Sequence, residues 1–396
     1  MAADGGPGPH LYIRKRPLAR GEADLVERRG REVVIQDPAK RPRRRTTIRL
    51  PPGATWWEGG TTNDEVWQAF ERSAEACAAC EGPGALWMAY GQTGSGKTHT
   101  LTGTGSDAGL LQRALRRILA TVRGSGQVRF RAVQLHNESP ACLLTGRPVR
   151  LEHLLSAGGD PDGASGAGCE VLRRPEQVGP ALARAAARRE VGRTALNDRS
   201  SRAHTIYLCD IEAAAGGSGA PRAARAAFLD LAGNEKDRFS VAAGRAAQRE
   251  RAAINQSLFA LKECIRALHQ RPAGRHVPFR RSKLTLFLQS LLDQRLALHF
   301  VATIHPTLSC LHDSTDTLRY ATTLAAWSAP PPPADRVPVA AYESFILKMY
   351  SLLRKDADLH QACRREGRDP PRASVLRLLS DKLRLLQRSR RVFAEG

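Results

Sequence analysis

The 396-residue chain has few aromatic residues and no long apolar run. Phe, Trp and Tyr make up 5% of it, so its core has to be built mainly from aliphatic side chains, as where helices pack on a sheet. No apolar run approaches the roughly 18 to 20 residues that span a bilayer. The first ten residues are rich in Gly and Pro and lack the apolar centre of a signal peptide. We therefore expect an intracellular, cytoplasmic protein without a membrane span.

The chain also lacks the cysteine spacing of a zinc ribbon. Only Cys77 and Cys80 among its eight cysteines form a C-x-x-C pair, whereas a ribbon needs a second such pair at suitable spacing. We interpret the two as reduced thiols one helical turn apart.

Acidic residues are scarce relative to basic ones. The chain has 39 Asp and Glu against 61 Lys and Arg, a formal charge of +22. This sign favours a large anionic partner, which includes nucleic acid, an acidic protein surface and an anionic membrane. The charge by itself does not choose among the three.

Strand-like and helix-like patterns alternate along the first 328 residues. Short apolar or alternating runs predict strands at residues 11–17, 33–35, 46–50, 85–90, 128–135, 149–151, 205–212 and 226–231. Helical spacing of apolar residues predicts helices at 63–80, 109–122 and 176–189. This alternation predicts an α/β fold with a mostly parallel or mixed central sheet and helices on both faces.

Composition divides the chain into four expected segments. A flexible N-terminus covers 1–10, the folded core 11–328, a Pro-rich linker 329–339 and a basic helical tail 340–396. The four prolines that begin at Pro330 cannot continue a helix and favour a semi-rigid spacer. Residues 342–353 and 374–386 have helical spacing but are short for a long coiled coil.

One motif points directly to chemistry. It matches the pattern G-x-x-x-x-G-K-[ST] and follows the predicted strand 85–90; its members are Gly91, Gln92, Thr93, Gly94, Ser95, Gly96, Lys97 and Thr98. The glycines allow successive backbone N–H groups to turn towards phosphate oxygens, the lysine reaches the β- and γ-phosphates, and the threonine hydroxyl can bind Mg²⁺. The alternative is a plain Gly/Ser-rich turn. We predict a nucleoside triphosphate site with Mg²⁺ as its metal.

Two later segments can sense the γ-phosphate. The first, 197–204, contains the hydroxyls of Ser200 and Ser201 next to Arg202. The second runs from Asp230, a carboxylate at a strand end that can hold Mg²⁺ through water, past Gly233, whose N–H can meet the γ-phosphate, to Glu235. The segment 197–204 is alternatively an ordinary capped turn. We predict that both act together with the phosphate-binding loop.

In this order, the three segments resemble the P-loop, switch I and switch II of kinesin motor domains. Several further stretches agree with that family: Arg14-Lys15-Arg16-Pro17, Asn255-Gln256-Ser257-Leu258, residues 276–285 and Leu318-Arg319-Tyr320-Ala321. The resemblance covers residues 11–327. It implies a kinesin-type P-loop NTPase core that hydrolyses ATP with Mg²⁺ on microtubules of the cytoskeleton.

The resemblance also implies roles for individual residues. Arg14, Pro17 and His99 would flank the adenine, and residues 91–98 would hold the phosphates. Mg²⁺ would be bound by Thr98 and Ser201, and by Asp230 through water. Arg202 would pair with Glu235 in a latch that closes on ATP. Five basic residues would meet tubulin: Lys262, Arg266, Arg280, Arg281 and Lys283.

The stretch Lys262-Glu263-Cys264-Ile265-Arg266 is similar to that of the internal-motor, microtubule-depolymerising kinesins. The same stretch can also be an amphipathic helix with a salt-bridged face. The chain departs from that subfamily because residues 37–47 form a short loop with Arg43-Arg44-Arg45 and no K-V-D tip. Ala203 also stands where switch I usually has a serine.

We therefore predict a kinesin-like microtubule motor with Mg-ATPase activity that destabilises microtubule ends. One alternative is a lattice-bound kinesin without depolymerising activity, or a microtubule-binding scaffold with weak ATPase. The other is a P-loop ATPase that acts on nucleic acid. The chain shows neither the arginine-aromatic strand pattern of an RNA-binding module nor zinc-finger spacing.

Overall fold

The structure, a computed structural model, describes most of the first 325 residues. The described ranges are 9–38, 44–82, 84–104, 107–122, 126–150, 168–191, 203–213, 222–235, 245–269, 277–293 and 296–325. The predicted linker and tail, most of the N-terminal segment and the predicted switch I residues up to Arg202 lie outside them.

A nine-stranded sheet forms the centre of the described fold. Eight of its strands follow one another in the order β10 (Ser139–Cys142), β9 (Gly126–His136), β12 (His204–Ala213), β13 (Arg222–Asp230), β6 (Gly84–Tyr90), β14 (Ala297–Ile304), β1 (His10–Lys15) and β5 (Thr55–Trp57). The ninth, β11 (Glu170–Leu172), pairs with β9.

The sheet is mixed, with a parallel half and an antiparallel half. The pairs β13–β6, β6–β14, β14–β1 and β1–β5 are parallel. The pairs of β9 with β10, β11 and β12, and of β12 with β13, are antiparallel. Because Asp230 pairs with Ala89 across β13 and β6, the end of β13 lies beside the start of the predicted phosphate-binding loop. The parallel half therefore positions the site at its carboxyl edge.

Two smaller sheets lie beside the central one. Strands β2 (Val26–Arg29), β3 (Glu32–Asp37) and β4 (Arg44–Arg49) form an antiparallel meander, which confirms the strands predicted at 33–35 and 46–50. Strands β7 (Gly103–Thr104) and β8 (Asp107–Ala108) form a short pair.

Helices cover both faces of the central sheet. On one face lie α1 (Asn63–Gln68), α2 (Glu71–Ala78), α4 (Leu110–Thr121) and α5 (Val178–Val191), and on the other lie α6 (Arg245–His269), α7 (Lys283–Asp293) and α8 (Leu311–Ala325). Alternation along β6 supplies both cores, since Leu86, Met88 and Tyr90 face the second group and Ala85, Trp87 and Ala89 the first. Helix α3 (Lys97–Leu101) follows the phosphate-binding loop.

Two predicted elements differ in the structure. The single helix expected over 63–80 is two helices, because the chain breaks at Ala69 and Phe70 between α1 and α2. Thr62 and Glu65 form a capping box that fixes the start of α1. The strand expected at 149–151 is reduced to one bridge between Pro148 and Ala141, and residue 151 lies outside the described part of the chain. None of the described helices is long and apolar enough to cross a membrane.

Candidate nucleotide site

The neighbouring strand β14 contacts the phosphate-binding loop through Thr303. Gly91 approaches Thr303 so closely that an added Cβ would lie 2.2 Å from the Thr303 carbonyl oxygen. The Ser95 hydroxyl is 2.6 Å from the Thr303 hydroxyl and donates to the Gln92 carbonyl at 2.7 Å. These contacts fix the shape of the loop.

Lys97 lies at the start of α3 and is turned into this loop. Its Nζ donates to the carbonyl oxygens of Gly91 and Gln92, at 2.8 Å each. Burial lowers the pKa of Lys97, while the nearby carboxylates of Asp230 and Glu235 oppose that shift. The ammonium group is thus hydrogen-bonded to backbone carbonyl oxygens, and phosphate oxygens can take their place as acceptors.

A cleft of about 790 Å³ opens above the loop. Its lining includes Arg14, Pro17, Thr93 to His99 and Asp230, so the structure brings the predicted adenine-side and phosphate-side residues together. Gly91 and Gln92 form the base of the loop and do not line the cleft. The volume is in the usual range of small-molecule sites, which run from roughly 300 to 1,000 Å³.

Arg14 and His99 are held in place by polar partners. The Arg14 guanidinium donates to Asn63 Oδ1 at 2.5 Å, to the Thr100 hydroxyl at 2.9 Å and to the Thr61 carbonyl at 2.8 Å. Burial lowers the pKa of Arg14, and Asp107 opposes the shift. His99 Nε2 is 3.1 Å from Asp107 Oδ2. These contacts make the adenine-side wall rigid.

Asp230 is the buried carboxylate of the site, with its side chain 1% exposed. Its Oδ2 accepts from the Thr98 hydroxyl at 2.7 Å and from Arg189 Nη2 at 2.9 Å. Within the part of the chain that the structure describes, its Oδ1 has no hydrogen-bond partner. The sequence predicted Thr98 and Asp230 but missed Arg189, which ends a predicted helix and reaches Asp230 only through the tertiary packing of α5.

The loop after β13 also contacts the phosphate-binding loop, through two hydrogen bonds. Glu235 accepts from the Thr93 backbone N–H at 2.8 Å and from its hydroxyl at 2.5 Å. A Cβ on Gly233 would lie 2.4 Å from the Thr93 hydroxyl, so a larger residue would displace the side chains that meet there. Asn234 donates to Thr317 Oγ1 of α8 at 3.0 Å and to the Tyr90 hydroxyl at 3.2 Å. Residues 231–235 therefore contact the site and the helical layer at once.

Four of the five predicted basic contact residues are exposed on a second surface: Arg266, Arg280, Arg281 and Lys283. Glu263 joins two of them, at 3.0 Å from Arg266 and 3.8 Å from Arg281. Lys262 is half-buried, with its Nζ 5.6 Å from the centre of the Tyr320 ring. Phe259, 56% exposed, lies on the same face of α6, one turn before Glu263.

A family model for the kinesin motor domain matches residues 58–326, which is more than half of the chain. The chain belongs to the kinesin motor-domain family. This confirms the family predicted from the P-loop and the two switch segments.

Similar kinesins include two plant proteins and one solved structure. The chain is 32% identical over 286 residues to the kinesin-like protein KIN-7L of Oryza sativa subsp. japonica, an alignment that covers 68% of this chain and 44% of that protein. It is 34% identical over 265 residues to the kinesin-like protein NACK2 of Nicotiana tabacum, covering 64% of this chain and 27% of that protein. The chain thus spans less than half of these relatives' length.

The solved structure of a fast kinesin has the same fold. It superposes with a TM-score of 0.69 at 21% identity and covers 83% of this chain and 96% of its own. This likeness confirms the predicted kinesin-type α/β fold with its mixed central sheet.

Most of the predicted switch I segment lies outside the described part of the chain. Ser200, Ser201 and Arg202 lie outside the described residues, so the latch between Arg202 and Glu235 stays a prediction. Within the described ranges, no three His, Cys, Asp or Glu side chains converge as a metal cluster. The oxygen atoms present still fit Mg²⁺, because the Thr98 hydroxyl and the buried Asp230 carboxylate are hard ligands, and one carboxylate oxygen has no hydrogen-bond partner among the described residues.

Proposed function

We propose that this chain is a Mg²⁺-dependent ATPase whose activity is stimulated by microtubules. One observation carries the proposal. The P-loop lies beside Asp230 at the end of the adjacent parallel strand, and Glu235 is bonded directly to Thr93 of that loop. Such an arrangement lets residues 231–235 respond to what the P-loop binds.

The residues divide the work as follows. Lys97 exchanges the carbonyls of Gly91 and Gln92 for phosphate oxygens, which offsets the cost of its burial. Thr98 and Asp230 would hold Mg²⁺, which neutralises charge on the phosphates when bound. Arg14, Pro17 and His99 line the cleft and would flank the base. The predicted roles of Ser200, Ser201 and Arg202 belong to this proposal.

The microtubule is the proposed partner, and the cytoskeleton the proposed location. The support is charge complementarity, since Arg266, Arg280, Arg281 and Lys283 form an exposed basic surface on α6, the turn 279–281 and the start of α7. Lys262 would add to it from the side of α8. The fast kinesin with the same fold was described for its ATPase mechanism and its interactions with microtubules.

The test is phosphate release from MgATP with and without microtubules. We expect turnover to rise with microtubules, and Lys97→Ala to reduce it about 100-fold or more through loss of phosphate contact. Arg116→Ala, which removes an exposed charge on α4, is the matched control and should behave as wild type.

The alternatives give different results in the same assay. A scaffold would sediment with microtubules without stimulated phosphate release. A nucleic-acid ATPase would bind DNA or RNA and show stimulation by them instead. Absence of release under all conditions would contradict the enzymatic proposal.

We also propose action at microtubule ends. Its support is the 262–266 stretch, which presents Arg266 and Glu263 on the outer part of α6 and is similar to that of the depolymerising kinesins. The similarity to KIN-7L and NACK2 does not support action at microtubule ends. Imaging of stabilised microtubules with the chain and ATP provides the test, since shortening from the ends supports the proposal and gliding of intact filaments contradicts it.

A further inference from the structure

His204 is buried at the end of the predicted switch I segment 197–204, and the roles above assign nothing to its side chain. It is the first residue of β12, it is 3% exposed, and it does not line the nucleotide cleft. On one side it meets the loop that follows β13, and on the other it meets α6. It therefore lies on the path between the site and the basic surface.

The hydrogen bonds fix the state of the ring. The Ala232 backbone N–H donates to His204 Nδ1 at 3.1 Å, so Nδ1 carries the lone pair. His204 Nε2 then carries the proton and donates to Ser257 Oγ at 2.9 Å, and the Ser257 hydroxyl donates to the Ile254 carbonyl at 2.7 Å. We call the chain Ala232–His204–Ser257 the histidine bridge. Every donor in it has an acceptor.

Burial keeps this bridge in one form at neutral pH. It lowers the pKa of His204 to about 4; the Lys97 ammonium acts in the same direction and Asp230 opposes it. A protonated ring would have no lone pair for Ala232, so the observed bonds require the neutral form. At neutral pH the ring is therefore in the form that makes both hydrogen bonds.

The two ends of the bridge belong to elements with different tasks. Ala232 lies two residues after Asp230 and precedes Gly233, which packs on Thr93 of the P-loop. Ser257 lies on the buried side of α6, whose outer side carries Phe259 and Arg266. Because the ring is rigid and closely packed, a shift of Ala232 cannot occur without movement of Ser257 or loss of a hydrogen bond.

We propose that His204 is a positioning residue that ties the loop 231–235 to α6 and thereby transmits nucleotide-dependent movement of the loop to the outer face of α6. This inference rests on the proposed function, because that outer face is the proposed microtubule contact. It assigns the transmission to one side chain and two hydrogen bonds.

The first test breaks the bridge at its far end with Ser257→Ala. We expect the ratio of microtubule-stimulated to basal phosphate release to fall about tenfold, since one buried hydrogen bond is worth about that factor. The control is Ser314→Ala on α8, which also removes a buried hydroxyl with two hydrogen bonds, to the N–H and carbonyl of His305. It should keep the wild-type ratio.

A second variant keeps the test independent of stability. His204→Asn places an acceptor near the Nδ1 position and lacks the reach to Ser257, so it should lower the ratio as Ser257→Ala does. The double variant should be no worse than either single one, because both remove the same link. Wild-type ratios in folded single variants, or additive losses in the double variant, would overturn the proposal.

Hydrogen exchange separates this inference from the proposed function. In wild type, a non-hydrolysed ATP analogue should change amide exchange in α6 relative to ADP, without microtubules present. Ser257→Ala should abolish that change while Ser314→Ala retains it. If wild type shows no stimulation by microtubules, the proposed function fails and this exchange experiment still decides the role of His204. An unchanged exchange response in Ser257→Ala would contradict the bridge.

Discussion

Two hydrogen-bond donors on different elements of the fold bind the Asp230 carboxylate. The Thr98 hydroxyl belongs to the P-loop helix, whereas the Arg189 guanidinium reaches in from α5. The Arg189 side chain is 11% exposed, so the pair is shielded from water on both sides. Burial works against the charge of Arg189, but Asp230 and Tyr207 together raise its pKa. Both donors therefore hold the Asp230 carboxylate in place at the end of β13.

Removal of Arg189 should be costly for this reason. We expect Arg189→Ala to lower the free energy of unfolding by about 3 to 5 kcal/mol, because it leaves a buried charge with one hydroxyl donor. The measurement is urea denaturation of the nucleotide-free chain. Arg184→Ala on the same helix breaks an ion pair with Glu170 that is half exposed, and it should cost less than about 1 kcal/mol. Equal losses in the two variants would show that the Arg189 pair contributes no more than a surface pair.

At the scale of elements, α6 connects the site to the surface. Its buried side packs Leu258, Leu261 and Ile265 into the core, and Ser257 on that side meets His204. Its outer side presents Phe259 next to a basic cluster. A large exposed apolar side chain inside a charged surface favours a contact that is partly apolar.

We expect the charges and Phe259 to contribute to microtubule binding in different ways. Reversal of Arg280 and Lys283 to Glu should weaken binding and also flatten its salt dependence, because exposed charges act through screened attraction. Phe259→Ser should weaken binding about tenfold or more with the salt dependence unchanged, since an apolar contact is not screened. Co-sedimentation over a salt series measures both.

The control for Phe259 is Leu308→Ser. Leu308 is 52% exposed in the turn before α8, outside α6 and the 279–283 segment, so its loss should leave affinity at the wild-type value. Wild-type affinity of Phe259→Ser would place the apolar contact elsewhere. An unchanged charge-reversal variant would place the whole interface elsewhere.

Elements with a clear local pattern could be predicted from the sequence, and tertiary neighbours could not. The P-loop was found because its residues are consecutive and its chemistry fixes their spacing. Thr98 and Asp230 were predicted as site residues from the P-loop and from the second γ-phosphate segment. Only the structure shows that they bond to each other. Arg189 and His204 escaped functional assignment because their roles depend on α5 and α6 packing beside particular strands. The break between α1 and α2 was missed because apolar spacing continues through Phe70.

At the scale of the whole molecule, burial of neutral histidines links stability to pH. Besides His204, His299 on β14 is 3% exposed, with Nε2 2.8 Å from the Ser73 hydroxyl and Nδ1 3.3 Å from the Tyr12 hydroxyl. Its ring also stacks on Trp87 at 5.4 Å. Burial lowers the pKa of His299 to about 3, with His10 acting in the same direction. Both rings resist the proton that the unfolded chain accepts below about pH 6.5.

The sign of the effect follows from these pKa values. Well above pH 6.5 both histidines are neutral in the folded and unfolded states, so their contribution to the free energy of unfolding is fully present. As the pH falls from 6.5 towards 4 the unfolded chain binds protons that the folded chain excludes, and stability is lost. By pH 4 each histidine accounts for a loss of about 3 kcal/mol, at 1.36 kcal/mol per pKa unit.

His299→Gln tests this at a position remote from the nucleotide cleft. We expect a lower free energy of unfolding at pH 7, because the stacking and one hydrogen bond are lost, but a decline between pH 6.5 and 4 that is smaller than in wild type by about 3 kcal/mol. The added positive charge on acidification repels the already basic molecule in both proteins and cancels in the difference. Urea midpoints at four pH values measure it. The control His312→Gln removes a half-exposed ring beside Asp316 and should not flatten the decline. A His299→Gln curve parallel to wild type would show that acid sensitivity arises from other groups.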